Sequence, residues 1–451
     1  MVMSNRGLRQ KLASLSQDQL VVLRNAALPG PDEYGVRRVL PADIGIIRGR
    51  IGFVVAAGAG PATGQCIDLA GRMIWPRFAD IHVHLDKGHV LYRTGPSDGT
   101  LHNAIAIISE DRARNWNADE LKRRMDFGLR SAWHYGTAMV RTHIDSQPGQ
   151  WEVSWELFED IRREWAGRIA LQGSSLVPIT LLRDRDYAEA LARRVAAAGG
   201  SFGAVAFAVQ DLPELLDSVF RLAVRHGLDV DFHADENGDP ESRALFEIAR
   251  TALKFNGEVR VIAGHCCSLS VQDQATRGRT LDAVARAGIG VVSLPASNLY
   301  LQGRKGREAS PNWRGLTAFK EAGAAGIALA LASDNTRDPF HPFGDLDMLD
   351  TFRLGIRALH LDDPVSRWVD TATTGAARMA GHEIPEIAEG NQADFIVFEG
   401  RSFSEVLARG ESERIVMAGG RPLTTDLPPY ADLDTIGLPN EFGIAETGNP
   451  G

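Results

Sequence analysis

The chain has 451 residues, 44% of them hydrophobic and 24% charged, and a formal net charge of −9. That length exceeds one small domain and suits a large barrel with a smaller accessory domain, at the composition of an ordinary globular protein. The acidic balance carries no electrostatic footprint for nucleic acid or an anionic membrane, and it leaves small neutral substrates open.

From the N-terminus, Met1 to Leu20 is largely polar and carries Arg6, Arg9 and Lys11, so no secretory signal is expected. No later stretch is long and apolar enough to span a bilayer. Gln19–Arg24 and Asp43–Ala56 read as short β-rich segments broken by Gly and Pro. Cys66, Cys266 and Cys267 are the only cysteines and form no C-x-x-C pair, which points to a cytoplasmic protein without a disulfide framework.

A series of apolar β-like runs follows: Met73–His84, Thr137–Asp145, Arg168–Pro178, Ala204–Val209, Leu228–His233, Val259–His265, Gly288–Pro295 and Gly326–Asp334. Between them lie amphipathic helical patterns, among them Asp119–Tyr135, Tyr187–Ala198, Leu212–His226 and Pro240–Phe255. Eight doubly buried strands with helical crossovers fit a (β/α)8 barrel, and a doubly wound open sheet competes with it on strand count alone. Ala393–Phe398 and Arg414–Met417 read as strands again, and Leu423 to Gly451, rich in Pro, Gly and acids, as an extended tail or cover. The domain division expected is 1–72 with 385–451 as the accessory β domain and 73–384 as the barrel.

The histidines and acids fall where a barrel puts its chemistry, at the C-terminal ends of strands. The first run ends in His82-Val-His84, the second in His143-Ile-Asp145, the fifth in His233-Ala-Asp-Glu236, the sixth in Gly264-His265 and the eighth in Ser333-Asp334. Residues i and i+2 of a strand share a face, so His82 and His84 can offer two imidazoles to one ion. His233 adds a third nitrogen and Asp334 a carboxylate oxygen, a mixed set with an open position suited to Zn²⁺ or Fe²⁺. Glu236 is expected as general acid/base and His265 as a hydrogen-bonding partner of the attacking hydroxide or developing oxyanion. His143 divides between packing and support of the ligands, and Asp145 reads as a loop or cap residue. The other histidines read as structural, with His102 and His341 available at the pocket mouth.

Rival chemistries do worse. Gly58-Ala-Gly60 with Gly64 loosely matches a dinucleotide loop, but Pro61 interrupts it and a hairpin turn fits better. No G-x-S-x-G elbow, P-loop or H-x-E…P-C-x-x-C pattern occurs.

These motifs resemble the amidohydrolase superfamily and, within it, the bacterial cytosine deaminase group. The likeness runs through His82-Val-His84-Leu-Asp-Lys87, Arg141-Thr-His143-Ile-Asp145, His233-Ala-Asp-Glu236 and Gly264-His265. It continues through Asn298 to Arg304, Arg314-Gly315 and Ser333 to Phe340. The resemblance implies His82, His84, His233 and Asp334 as metal ligands, Glu236 as proton shuttle and His265 beside the hydroxide. It also implies a β-sandwich built from both chain ends. Two-metal relatives bridge their ions with a carboxylated lysine at the end of strand 4; no lysine lies between Lys122 and Lys254, so one divalent ion per chain is expected.

Departures from the group fall in the substrate pocket. Its pyrimidine-reading Gln after the strand 3 Pro is Ile179 here, the second of two adjacent acids after strand 8 is Asn335, and a nearby Trp is Phe340. Gln172 and Gln302 are candidate substitute readers. The expectation is therefore a hydrolytic deaminase of a cytosine-like or related aminated N-heterocycle. A cyclic-amide or N-alkylamino-triazine amidohydrolase is the nearest alternative, and an inactive metal-binding protein, which would not need Glu236, is another. The expected partner is a small heterocycle, neither nucleic acid nor membrane, and a homo-oligomer is compatible with the chain.

Overall fold

A computed structural model describes residues 3–31, 37–305, 308–410 and 413–436. The chain divides into two compact units. The first comprises the described parts of Met1–Ala79, Ala132–Ala138 and Met348–Leu427, and the second those of Asp80–Ser131, Met139–Asp347 and Pro428–Gly451.

In the first unit, β1 (Val21–Pro31), β2 (Arg37–Ile47), β3 (Arg50–Ala56) and β4 (Gln65–Asp68) form a sheet in the order β3-β2-β1-β4. Its β1–β4 pair is parallel and the other pairs antiparallel. The β2–β3 hairpin turns at Arg48-Gly49, where both residues take positive φ. A second sheet draws on both parts of the chain, because β5 (Ile74–Pro76) pairs antiparallel with a C-terminal strand, Phe395–Phe398. Alternate residues of both sheets, including Leu23, Ile44, Phe395, Val397, Ile415 and Met417, meet in one buried cluster with Leu8 and Leu12 of the helix Asn5–Ser14. Period-two alternation produces this arrangement, since each strand gives one face to the core.

The buried Asp43 carboxylate fixes the edge of that core. It accepts the N–H groups of Asn25 (3.0 Å), Gly58 (3.0 Å) and Gly60 (3.2 Å). Asn25 has φ +53 at the bulge that shifts the β1–β2 register. The Gly58–Gly64 segment is thus a structural turn. It leads into β4, a partner of β1, rather than closing a hairpin.

The barrel strands are β6 (Phe78–Val83), β7 (Thr137–Asp145), β8 (Ala170–Leu176), β9 (Phe202–Ala206), β10 (Val230–Ala234), β11 (Val261–His265), β12 (Gly290–Ser293) and β13 (Leu329–Leu331). They pair in the orders β6-β7-β8 and β9-β10-β11-β12-β13. Parallel bridges Ser174↔Ser201 and Pro178↔Val205 join β8 to β9, and Val83↔Asp334 joins the end of β6 to the residue following β13, so the ring closes. This is the expected barrel, and the closed ring removes the open-sheet alternative. The C-terminal strands are β14 (Phe395–Phe398), β15 (Arg414–Ala418) and β16 (Arg421–Pro422), and the second sheet runs β16-β15-β14-β5.

The helix Leu212–His226 ends as its apolar stripe predicts, with Gly227 at φ 64 as its left-handed cap. The predicted Pro240–Phe255 helix instead begins at Ala244. Asp235 accepts the N–H groups of Ala244 and Leu245, both at 3.0 Å, and so satisfies the first N–H groups of the helix where it begins. In the tail, Tyr430 stacks on Phe127 at 5.6 Å, and residues 437–451 lie outside the described set. Among the described residues, no helix is long and apolar enough to cross a membrane, and all three cysteines are unpaired.

Candidate active site

The site is assembled from the chain segments that leave the barrel strands. His82 on β6 and His84 just after it direct their rings inward, and His233 on β10 meets them. The Nε2 atoms of His82 and His233 lie 3.1 Å apart, and those of His233 and His84 3.3 Å. Asp334 brings Oδ1 to 3.1 Å from His84 Nε2 and 3.6 Å from His82 Nε2. Donors that would share one cation at about 2.0–2.1 Å each stand roughly 3 Å or a little more apart, which is the spacing found here. Four buried donors converge with no proton-bearing partner for Asp334 Oδ1, so the donor set fits a divalent metal ion.

The backbone is shaped for this convergence. Asp334, His265 and Asp235 all occupy the left-handed region, at φ 66, 67 and 50, in which non-glycine residues are uncommon. The Asp334 N–H donates to the His82 carbonyl at 2.9 Å, and Ser297 Oγ donates a short bond to Asp334 Oδ2. Gly264 has a packing reason: a Cβ there would lie 2.6 Å from His82 Cε1.

Around the donors, His143 sits with its ring centroid 4.0 Å from that of His82 and its Nε2 3.3 Å from Asp231 Oδ1. Arg141 Nη1 donates to the other Asp231 oxygen at 2.9 Å. Histidine, aspartate and arginine are all buried beneath the donors, and His143 also falls within reach of a cation held by His82, His84 and His233. A second donor grouping joins His82, His265 and Asp334.

Glu236 lies beside His265, its Oε1 3.5 Å from His265 Nδ1, with its side chain 12% exposed. Burial pushes its carboxyl well above the usual range, and the nearby Asp334 carboxylate adds to the shift. Burial also pushes the His265 imidazolium down to about 4, against the attraction of Asp334. The His265 ring is neutral at physiological pH, and Asn298 Nδ2 lies 3.0 Å from its Nδ1.

A cavity opens beside His84, His233, Glu236 and His265. Asn335 and Phe340 line it as well, and Asn335 is held by a 2.7 Å bond to the buried Asp338. The other proposed pocket residues lie outside its lining. Gln172 accepts from Arg141 Nε at 3.1 Å, Ile179 is fully buried, and Gln302 donates to the Glu236 carbonyl at 3.2 Å. His102 and His341 are also outside it. Lys87, Asp145, Arg112 and Gln147 line the cavity instead. Lys87 Nζ and Arg112 Nη1 each lie 2.7 Å from one oxygen of Asp145. Burial opposes ionisation of Asp145, yet these two cations hold its carboxyl below the usual range. Asp145, expected as a cap or loop residue, is thus the centre of an ion-pair cluster in the cavity wall.

Fold and site together define a closed α/β barrel with a buried imidazole–carboxylate centre for a divalent metal. Comparison with known proteins places this class more narrowly. The profile of the amidohydrolase family matches residues 190–423. The pterin deaminase of Rhizobium rhizogenes is 41% identical over 425 residues, covering 92% of this chain and 96% of that protein. The N-isopropylammelide isopropyl amidohydrolase of Pseudomonas sp. is 24% identical over 427 residues, covering 91% and 99%. Among solved structures, 5-methylcytosine deaminase from Klebsiella pneumoniae superimposes with a TM-score of 0.79 at 24% identity, over 90% of this chain and 98% of that one. The chain belongs to the amidohydrolase family.

Proposed function

We propose that the chain is a metal-dependent hydrolase that deaminates an aminated N-heterocycle at a cyclic amidine carbon, with 2-amino-4-oxopteridines as the leading substrate class. The observation that carries this reading is near-full-length similarity, at 41% identity, to a pterin deaminase, in a chain whose cavity joins Glu236 to the histidine–carboxylate centre. His82, His84, His233 and Asp334 would hold one divalent cation, Zn²⁺ or Fe²⁺ by the mixed donor set. When bound, such a cation supplies Lewis acidity that lowers the pKa of water to about 7.

The remaining chemistry belongs to the chain's own residues. As water adds to the amidine carbon, Asp334 accepts one of its protons. Glu236, whose buried setting favours its uncharged form, delivers a proton to the adjacent ring nitrogen. His265 hydrogen-bonds the oxygen on which charge develops. Asp334 then passes its proton to the departing amine, ammonia leaves, and the hydroxyl proton of the tetrahedral adduct returns Glu236 to its starting state. The unpaired cysteines suit a cytoplasmic enzyme.

Similarity to an alkylamino-triazine amidohydrolase favours one second reading, loss of an alkylamine from a triazine. An ammonia-release screen of metal-loaded protein across aminopyrimidines, purines, pteridines and triazines tests both. Ammonia from a pteridine is expected. Release of alkylamine alone, or a ring-opened product without ammonia, overturns the deaminase assignment.

A further inference from the structure

Glu236 and His265 stand at the ends of two neighbouring strands, β10 and β11, yet both are braced from a third place in the barrel. The helix Pro295–Leu301 follows β12, with Pro295 opening its first turn. Ser297 and Asn298 on it are fully buried, and Gln302, which caps its end, is nearly so. The Gln302 N–H donates to the Asn298 carbonyl at 2.9 Å, so these two residues lie one turn apart on the same face. Ser297 Oγ donates to Asp334 Oδ2, Asn298 Nδ2 lies 3.0 Å from His265 Nδ1, and Gln302 Nε2 donates to the Glu236 carbonyl at 3.2 Å. Ser297, Asn298 and Gln302 all lie outside the cavity lining, so each touches the chemistry only through the residue it holds.

The brace is itself held. Gly315 has φ +70, and a Cβ there would lie 2.2 Å from Gln302 Cγ, so the chain closes directly over that side chain. Two residues on, Thr317 Oγ1 donates to the His265 carbonyl at 2.6 Å. His265 is thereby fixed twice, its main chain by Thr317 and its ring by Asn298.

The Asn298 contact decides which imidazole nitrogen carries the proton. An amide NH₂ can only donate, so Nδ1 accepts, and in a neutral ring the proton then belongs to Nε2. Nε2 is buried with no partner among the described residues, on a ring that forms a donor grouping with His82 and Asp334. It is the nitrogen left free to bond an oxygen that develops charge beside those residues. The contact also occupies the Nδ1 lone pair that faces Glu236 Oε1 at 3.5 Å, so the shuttle is not tied to its neighbour. The opposite tautomer would leave a lone pair on Nε2, fit to ligate a cation but unable to donate to an oxygen.

We propose that Asn298 is a positioning residue of the reaction: it holds His265 in the Nε2–H form, which makes the imidazole a hydrogen-bond donor to the reacting oxygen rather than a further ligand of the cation. This deepens the deaminase reading and rests on it for the identity of that oxygen, whereas the tautomer does not depend on the reaction.

Protein labelled with ¹⁵N-histidine, both metal-free and zinc-loaded, gives the tautomer directly from the two ring-nitrogen shifts, with His265 assigned by its absence in His265→Gln. A protonated Nε2 is expected in wild type in both states. That preference should be lost in Asn298→Leu, which is close in size and carries no donor. A protonated Nδ1 in wild type overturns the inference, because Asn298 then presents its oxygen and His265 is free to act as a ligand. Retention of the full Nε2–H preference in Asn298→Leu overturns it as well. In the ammonia assay, with zinc-loaded protein and the substrate found in the screen, Asn298→Leu should lower kcat by about tenfold or more, with KM and zinc content near wild type. In the His265→Gln background the same substitution should have little further effect, within about threefold, because its partner is gone. An unchanged kcat, or a full-sized loss in that background, overturns the inference, since a merely structural change acts with or without the imidazole. Absence of turnover on every heterocycle of the screen overturns the deaminase reading alone, and the ring-nitrogen shifts still decide the role of Asn298.

Discussion

Replacing Glu236 by Gln isolates proton transfer from every other property of the site. The side chain is 12% exposed and faces His265 Nδ1 at 3.5 Å, and burial with Asp334 nearby already favours its uncharged form. Gln is close in size to that uncharged acid, so the change should alter stability by less than about 1 kcal/mol. The four donors converge without Glu236, so metal content should stay at the wild-type level. What disappears is the transferable proton. General acid/base groups contribute about 10²- to 10⁴-fold, which corresponds to roughly 3–5 kcal/mol on the barrier. Asp235 cannot take over, because its two oxygens cap the N–H groups of Ala244 and Leu245. Metal analysis and a coupled ammonia assay on one preparation decide the matter. Loss of the ion would make Glu236 a ligand, and turnover within tenfold of wild type would refute its role as the shuttle.

Chelation should abolish turnover, and His82→Ala or His233→Ala should strip most of the metal; full activity in rigorously metal-free protein would contradict the mechanism. Active protein should hold about one ion per chain, since β9 offers no lysine to bridge a pair; two tightly held ions, both required, would contradict this. Asp43→Ala leaves three backbone N–H groups without their acceptor and should cost roughly 2–3 kcal/mol in urea denaturation. Burial alone would raise the Asp43 carboxyl, but the N–H groups of Asn25, Gly60 and Gly58, with Arg24, hold it below the ordinary range. The stabilisation is therefore present above the unfolded value near ~3.9 and is lost as pH falls through the lower folded value, so Asp43→Asn should flatten the acid limb of stability.

The metal-competent residues were legible because two simple periodicities expose them. His82 and His84 share a strand face, and the five polar strand ends coincide with the one rim that a parallel barrel reserves for chemistry. β7 was legible to its last residue, being buried along its whole length. Legibility failed where contacts distant in sequence decide. Gln172 and Gln302 have the right chemistry for ring recognition, but they lie outside the cavity lining, engaged by Arg141 and by the Glu236 carbonyl. Arg112 and Gln147 were missed for the converse reason. The helix Leu101–Asn115 turns its stripe towards a cavity, so its apolar face mixes with a cation and reads poorly as a core helix. The spacing of Leu101, Ile105, Ile108 and Arg112 was the available signal. Gly264 could be read only as part of a motif, since its need for a missing side chain arises from a ring on β6.

The ring closes by a hydrogen bond from Asp334 to the carbonyl of His82, joining the first barrel strand to the residue that follows the last. The residue whose carboxylate completes the donor set therefore also clasps the barrel through its backbone N–H. During vectorial synthesis His82 and His84 emerge early, His233 later and Asp334 last, so a nascent chain cannot acquire the full coordination sphere until all eight strands have been made. An interrupted chain would therefore present two raw sheet edges and an incomplete set of donors at once.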